Sequence, residues 1–131
     1  MNTIKGEIVA IRSSGSICLV KINVNNSIIT SILLKNDRDS FIKISNNVTV
    51  LFKEAAVIIA TGIAENTSLQ NSFTGPIIEL NKGLILSTLT VKTTLGNISS
   101  IINTNAVEQL KLSLNTPVTA LIKSNEIMLS I

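Results

Sequence analysis

The sequence contains two copies of one pattern, and this internal repeat constrains the fold more than any other feature. When Gly6 is placed on Gly75, an offset of 69 residues, the two halves run in parallel through three predicted strands. One extra residue near Pro117 moves the offset to 70 for the last two strands. The matched blocks are Gly6–Ile11 with Gly75–Leu80, Ile29–Ile32 with Ile98–Ile101, Val48–Lys53 with Val118–Lys123, and Val57–Ile59 with Ile127–Leu129. Four blocks in the same order with a single one-residue shift indicate a tandem duplication.

Each half reads as five short strands with one short helix between the third and the fourth. Residues 17–24 alternate between two faces, one of them apolar, and Asn25-Asn26 is a hairpin signal before the next strand. Asn105–Leu110 has helical spacing, and its weaker counterpart, Asn36–Phe41, begins with the same kind of capping residue. This order predicts a mostly β protein of two tandem OB-like five-stranded small barrels, each with one short helix.

The duplication also predicts how the chain is divided. We expect a first module at residues 1–63, a polar linker at residues 64–71 and a second module at residues 72–131. A barrel of about 60 residues is marginally stable by itself. The two modules are therefore expected to share an interface or to oligomerise.

The composition is poor in residues that catalyse reactions. The 131 residues are 45% hydrophobic but include only three Phe, and no Trp, Tyr or His. Without His, histidine-based acid–base catalysis and His-ligated metals are excluded. The single cysteine, Cys18, lies on the apolar face of an alternating strand, so we interpret it as a core thiol. No nucleophile motif or phosphate loop is present, and we expect no enzymatic activity.

The charge pattern disfavours nucleic acid and membranes as partners. Eleven Lys and Arg against eight Asp and Glu leave a net charge of +3, and only Arg12 and Arg38 are arginines. A basic stripe with interleaved aromatic residues, which single-strand binders use for stacking, is missing. The longest apolar stretch, Ala55–Ala60, is much shorter than a membrane span, and the N-terminus lacks the apolar run of a signal peptide. We therefore expect a cytoplasmic protein.

Two ordered copies of a longer pattern resemble the Mop module, which is also called TOBE. The second half fits best, since Ile102–Leu112 and Val118–Leu129 lie close to the family pattern of a short helix followed by two strands. The first half keeps Asn2–Gly6 and Val48–Lys53, whereas its middle segment diverges. Over nearly its whole length the chain is similar to tandem, or di-Mop, proteins.

This resemblance implies storage or homeostasis of a tetrahedral oxyanion, molybdate or tungstate, bound at interfaces between packed Mop modules. Family members hold the ion with backbone amides, Ser or Thr hydroxyls and a lysine, and stand-alone di-Mop proteins form trimers, so a homo-oligomer is implied. A buried dianion needs such donors and a nearby cation, because an unpaired buried charge is costly. The oxyanion-binding candidates that the resemblance implies are Lys123, Ser124, Asn103, Ser68, Asn71, Lys53, Ser31 and Ser100.

The chain departs from the family pattern near several of these positions. Glu54 follows Lys53 and would oppose an anion there, Leu33 stands where a donor is expected, and Gln70 replaces an arginine of the leading element. These departures weaken the sites that the first half would build. Two alternatives stay open: the ligand-sensing module of a molybdate-responsive regulator or transporter ATPase, and an OB-type nucleic-acid-binding protein.

Overall fold

In the described residues the strands follow the repeat, with five in each half. The computed structural model describes residues 1–35 and 40–131. The strands of the first half are β1 (Asn2–Ser14), β2 (Ile17–Val24), β3 (Ser27–Leu34), β4 (Asn47–Phe52) and β5 (Val57–Thr61). Those of the second half are β6 (Asn71–Lys82), β7 (Leu86–Thr93), β8 (Gly96–Asn103), β9 (Pro117–Ile122) and β10 (Met128–Ser130). The predicted mostly β, tandem OB-like class is confirmed.

Three short helical elements complete the described part of the chain. The helix predicted at Asn105–Leu110 is α1 (Thr104–Gln109), between β8 and β9. Two 3-10 turns, Glu54–Ala56 and Ser124–Glu126, connect β4 to β5 and β9 to β10. The helix predicted at Asn36–Phe41 lies mostly in residues 36–39, outside the described residues. Within residues 1–35 and 40–131, no helix has both the length and the apolar character needed to cross a membrane.

Alternation of side chains explains why these segments form strands. In β2 every second residue is buried, including the predicted core thiol Cys18, while Lys21 between them is exposed. The hairpin that follows turns at Asn25 and Asn26, whose φ angles are 50° and 66°. Asparagine tolerates this left-handed region, and two such residues match the twist of the flanking strands. The equivalent hairpin in the second half enters β8 at Gly96, whose φ is 113°.

The last strand of each half pairs in the sheet of the other half. One sheet has the order β10-β4-β1-β2-β3 and the other the order β5-β9-β6-β7-β8. Met128 therefore pairs with Leu51, and Val57 pairs with Ile122. Each sheet contains four strands from one half of the sequence and a fifth from the other. The sequence did not predict this exchange.

Both halves contribute to one apolar core. Phe52, Ile8 and Ile22 from the first half are fully buried, as are Ile77 and Ile122 from the second, and all belong to one contiguous cluster. Because the exchanged strands are covalently part of the opposite half, neither barrel can open without disturbing the other. The exchange therefore joins the two barrels into one folded unit.

Candidate functional site

The chain crosses from one sheet to the other at two equivalent places, and each crossing starts at a lysine. Lys53 follows β4 and Lys123 follows β9, and both are exposed residues in extended conformation immediately before a 3-10 turn. The carbonyl oxygen of Lys53 accepts a hydrogen bond from the amide of Ala56 at 3.0 Å, and that of Lys123 accepts from Glu126 at 2.9 Å. The duplicated sequence thus builds the same local geometry twice.

The two lysines meet at one cavity. Since β5 joins β9 and β10 joins β4, residues 70 apart in the chain line a common cavity of about 350 Å³. Its lining residues are Lys53, Ala55, Ala56, Ile58, Lys123 and Glu126. We call this space the crossover cavity. The strand exchange brings together two of the predicted oxyanion ligands, which come from opposite halves.

The charges at the crossover cavity favour an anion. In the parts of the chain that the structure describes, the ion pairs join Met1 to Glu54 and Lys82 to Glu108. Neither cavity lysine is therefore engaged by a carboxylate in the described residues. Among the lining residues that the structure describes, Glu126 is the one carboxylate, and its charge opposes an anion. Sequence reasoning missed Glu126 as part of this site, although its position three residues after Lys123 could have indicated it.

Glu54, expected to oppose an anion near Lys53, is instead bound to the N-terminus. The Met1 ammonium donates a hydrogen bond to the Glu54 carboxylate and holds the pKa of that carboxyl below its ordinary value. Glu54 is also not among the residues that line the crossover cavity. Its charge is thus partly compensated by the neighbouring ammonium.

Ser31 and Ser100 hold the two crossings against the sheets. Both are fully buried, and they occupy equivalent positions in β3 and β8. The Ser31 hydroxyl donates to the carbonyl of Ile127 at 2.8 Å, and the Ser100 hydroxyl donates to that of Val57 at 2.9 Å. Each accepting carbonyl lies directly after a 3-10 turn. Because each hydroxyl hydrogen is used in a hydrogen bond to a backbone carbonyl, these serines fix the positions of the crossings. Their role as oxyanion ligands stays a prediction.

The Asn71 side chain also makes hydrogen bonds between the halves, at the edge strand β3. Its side chain is 1% exposed and makes two hydrogen bonds to the backbone of Thr30. Asn2, its repeat equivalent, does the same with Ser99 on the edge of β8. Both asparagines therefore join one half to the other, a role that sequence reasoning missed.

Of the three remaining oxyanion-binding candidates, Ser124 is next to Lys123 in the chain, whereas Asn103 and Ser68 do not line the crossover cavity. Ser124 is the half-buried first residue of the second 3-10 turn, next to Lys123. Asn103 caps α1, where its Oδ1 accepts from the amide of Ala106 at 2.8 Å. Ser68 is exposed in the segment between β5 and β6. Neither Asn103 nor Ser68 lines the crossover cavity.

Comparison with known proteins adds a domain family and a fold. Residues 67–129 match the TOBE domain family. No curated protein sequence matches the chain. Among solved structures, the fold is similar to that of the cytoplasmic molybdate-binding protein ModG in a crystal form with molybdate bound. The TM-score is 0.90 at 21% identity, and the match covers 99% of this chain and 95% of the other. The likeness therefore extends over both barrels.

Proposed function

We propose that this protein binds a tetrahedral oxyanion, molybdate or tungstate, for storage or homeostasis, and the match of residues 67–129 to the TOBE domain family supports this. The observation that carries the proposal is the convergence of Lys53 and Lys123 on the crossover cavity. The fold likeness to a molybdate-binding protein supports it. On this proposal the protein captures an anion reversibly in the cytoplasm and catalyses no reaction.

The chemistry of the cavity suits a dianion. Two ammonium groups balance the charge of one molybdate or tungstate ion and donate hydrogen bonds to its oxygens. Directly after the two lysines, the backbone amides of Glu54 and Ser124 begin the two 3-10 turns, and on this proposal they are further hydrogen-bond donors to the anion. Glu126 reduces the net positive charge, so we expect binding that is reversible rather than permanent.

Assembly into a homo-oligomer, with a trimer favoured, is part of the proposal. Many large apolar side chains are exposed on the described surface, among them Ile32 at 40% and Leu34 at 73%. Together with Phe41, Ile42 and Met128 they line an apolar groove of about 460 Å³. Contiguous exposed apolar surface is typical of protein–protein contact. We also propose residues 1–63 and 72–131 as the duplicated modules, with residues 64–71 as their linker.

Calorimetric titration of the purified protein with molybdate, tungstate, sulfate and phosphate tests the function. We expect molybdate or tungstate to bind with Kd well below about 1 mM, which corresponds to about −4 kcal/mol. If no oxyanion binds more tightly than this, the storage proposal is wrong. A parallel titration with a short single-stranded oligonucleotide at low and moderate salt tests the nucleic-acid alternative, for which we expect no binding.

A further inference from the structure

Equivalent outer faces of the two barrels differ in charge at matched positions. On the second barrel, a cavity of about 400 Å³ lies over β6, β7 and β8. Two carboxylates, Glu54 and Glu79, line it together with the polar side chains of Asn81, Thr88, Thr90 and Ser99. Glu79, Thr90 and Ser99 form one cross-strand row, and Glu79 is exposed on the side away from the core. We call this surface the acidic face.

The repeat places cations at the same location on the first barrel. The row equivalent to Glu79, Thr90 and Ser99 is Ala10, Lys21 and Thr30, in the same register next to the same bulge. Arg12 lies two residues beyond Ala10 on that face, where the second barrel has Asn81. Arg12 and Lys21 are both exposed. We call this surface the basic face.

The two carboxylates of the acidic face have uncharged equivalents on the basic face. Ala10 replaces Glu79, and Ser124 replaces Glu54. Glu54 is bound by the Met1 ammonium, so Glu79 is the carboxylate available to a partner. On the first barrel the nearest described carboxylate along β1 is Glu7, which pairs with Asn23 on the other side of the bulge.

We propose that the acidic face of one copy of this chain docks on the basic face of a second copy. At equivalent positions of the two faces, Glu79 stands against Ala10 and Lys21 against Thr90, so the faces are complementary in charge. Two identical faces would place like charges together, which is destabilising, whereas opposite faces attract. Such a contact is heterologous, and repeated head to tail it forms a ring where the rotation between copies closes and an open filament where it does not. The inference rests on the self-association included in the proposed function, but it does not depend on the crossover cavity.

Charge reversal tests the docking, with assembly state read by sedimentation velocity over a range of concentrations. Lys21→Glu and Glu79→Lys should each raise the Kd of self-association at least about tenfold, the change that about 1.4 kcal/mol produces. Combining both changes in one chain should restore association, because every contact then again pairs a lysine with a glutamate. Lys111→Glu and Glu65→Lys change the net charge by the same amount on exposed residues outside the strands of both faces, and they serve as controls. Association of the unmodified protein should weaken between about 0.05 and 0.5 M NaCl, because salt screens charges.

The outcomes separate this inference from the proposed function. Self-association that neither reversal changes would overturn the docking and leave oxyanion storage standing. A monomer at all concentrations would overturn both the docking and the proposed assembly. If Lys21→Glu abolished molybdate binding while leaving assembly unchanged, the basic face would be an anion site and the docking would be wrong. If circular dichroism shows that the Lys21→Glu variant does not fold, the Arg12→Glu variant, which changes the same face, is measured in its place.

Discussion

The side chain of Asn71 binds both backbone polar groups of Thr30. Its Oδ1 accepts from the Thr30 amide at 2.7 Å, and its Nδ2 donates to the Thr30 carbonyl at 2.8 Å. A carboxamide thus takes the place of a neighbouring strand on the edge of β3. Asn2 and Ser99 form the equivalent pair on β8, at 2.8 and 2.9 Å. Through these two pairs, each half supplies hydrogen-bond partners to backbone groups on an edge strand of the other half.

Replacing Asn71 with alanine should destabilise the protein by about 2–4 kcal/mol, because two buried backbone groups lose their partners. Urea unfolding followed by circular dichroism measures the change. Asn2→Ala should cost less, since Asn2 is 8% exposed and water can reach the freed groups more easily. Asn97→Ala, on an exposed position of β8, is the control. A loss for Asn71→Ala no greater than that of the control would contradict the predicted role.

Gly75→Ala should be strongly destabilising for a steric reason. A Cβ at this position would overlap the carbonyl oxygen of Lys92, a backbone atom that cannot rotate away. Strands β6 and β7 would have to separate, at a cost of about 3 kcal/mol. Gly15→Ala is the matched comparison, since its surroundings are open and only its φ of 60° is unfavourable, which costs about 1 kcal/mol. Equal losses in urea unfolding would show that the contact at Gly75 is not restrictive.

Cleavage between the halves should leave the two fragments bound to each other. A protease site inserted in the exposed segment at residues 65–68 would separate them covalently. Because β5 stays in the sheet of the second half and β10 in that of the first, the cleaved protein should elute as one species in gel filtration without denaturant. Fragments that part under these conditions would argue against the exchanged strands. The uncleaved insertion variant controls for effects of the insertion.

Removing either cavity lysine should weaken oxyanion binding. Lys53→Ala and Lys123→Ala should each raise the Kd for molybdate at least about tenfold, because a nearby unit charge contributes about 1 kcal/mol in water and more where the surroundings are less polar. Lys92→Ala, an exposed lysine that does not line the cavity, should leave the Kd unchanged. If both cavity variants bound molybdate like the unmodified protein, the site would have to lie elsewhere.

Changing Glu126 to glutamine should strengthen oxyanion binding, the opposite of the effect expected for the lysine variants. The substitution removes the carboxylate of the crossover cavity and keeps nearly the same shape, so repulsion of the anion falls. We expect the Kd for molybdate to fall several-fold in the same calorimetric experiment, with a smaller effect at high salt. A weaker affinity would indicate that Glu126 orients a lysine instead of repelling the ion.

Local sequence was sufficient for the strands and for the class of fold. The alternation in β2, the Asn25-Asn26 turn and the helix near Asn105 are all short-range patterns, and the structure confirms each. Burial of Cys18 followed from the same alternation. The repeat also marked Lys53 and Lys123 as equivalent residues. These features depend on neighbours within a few positions, which a single sequence displays directly.

The tertiary structure decided which strands pair and therefore which residues line the crossover cavity. The two possible partners of β5, β4 and β9, are copies of one sequence, so no local pattern can distinguish them. Packing of the whole chain makes the choice, since β5 joins β9 and β10 joins β4 in one shared core. That choice brings Lys53 and Lys123 to one cavity and assigns Asn71, Ser31 and Ser100 to contacts between the halves. The sequence contains each of these residues twice, and the exchange of strands brings the two distant copies to one cavity.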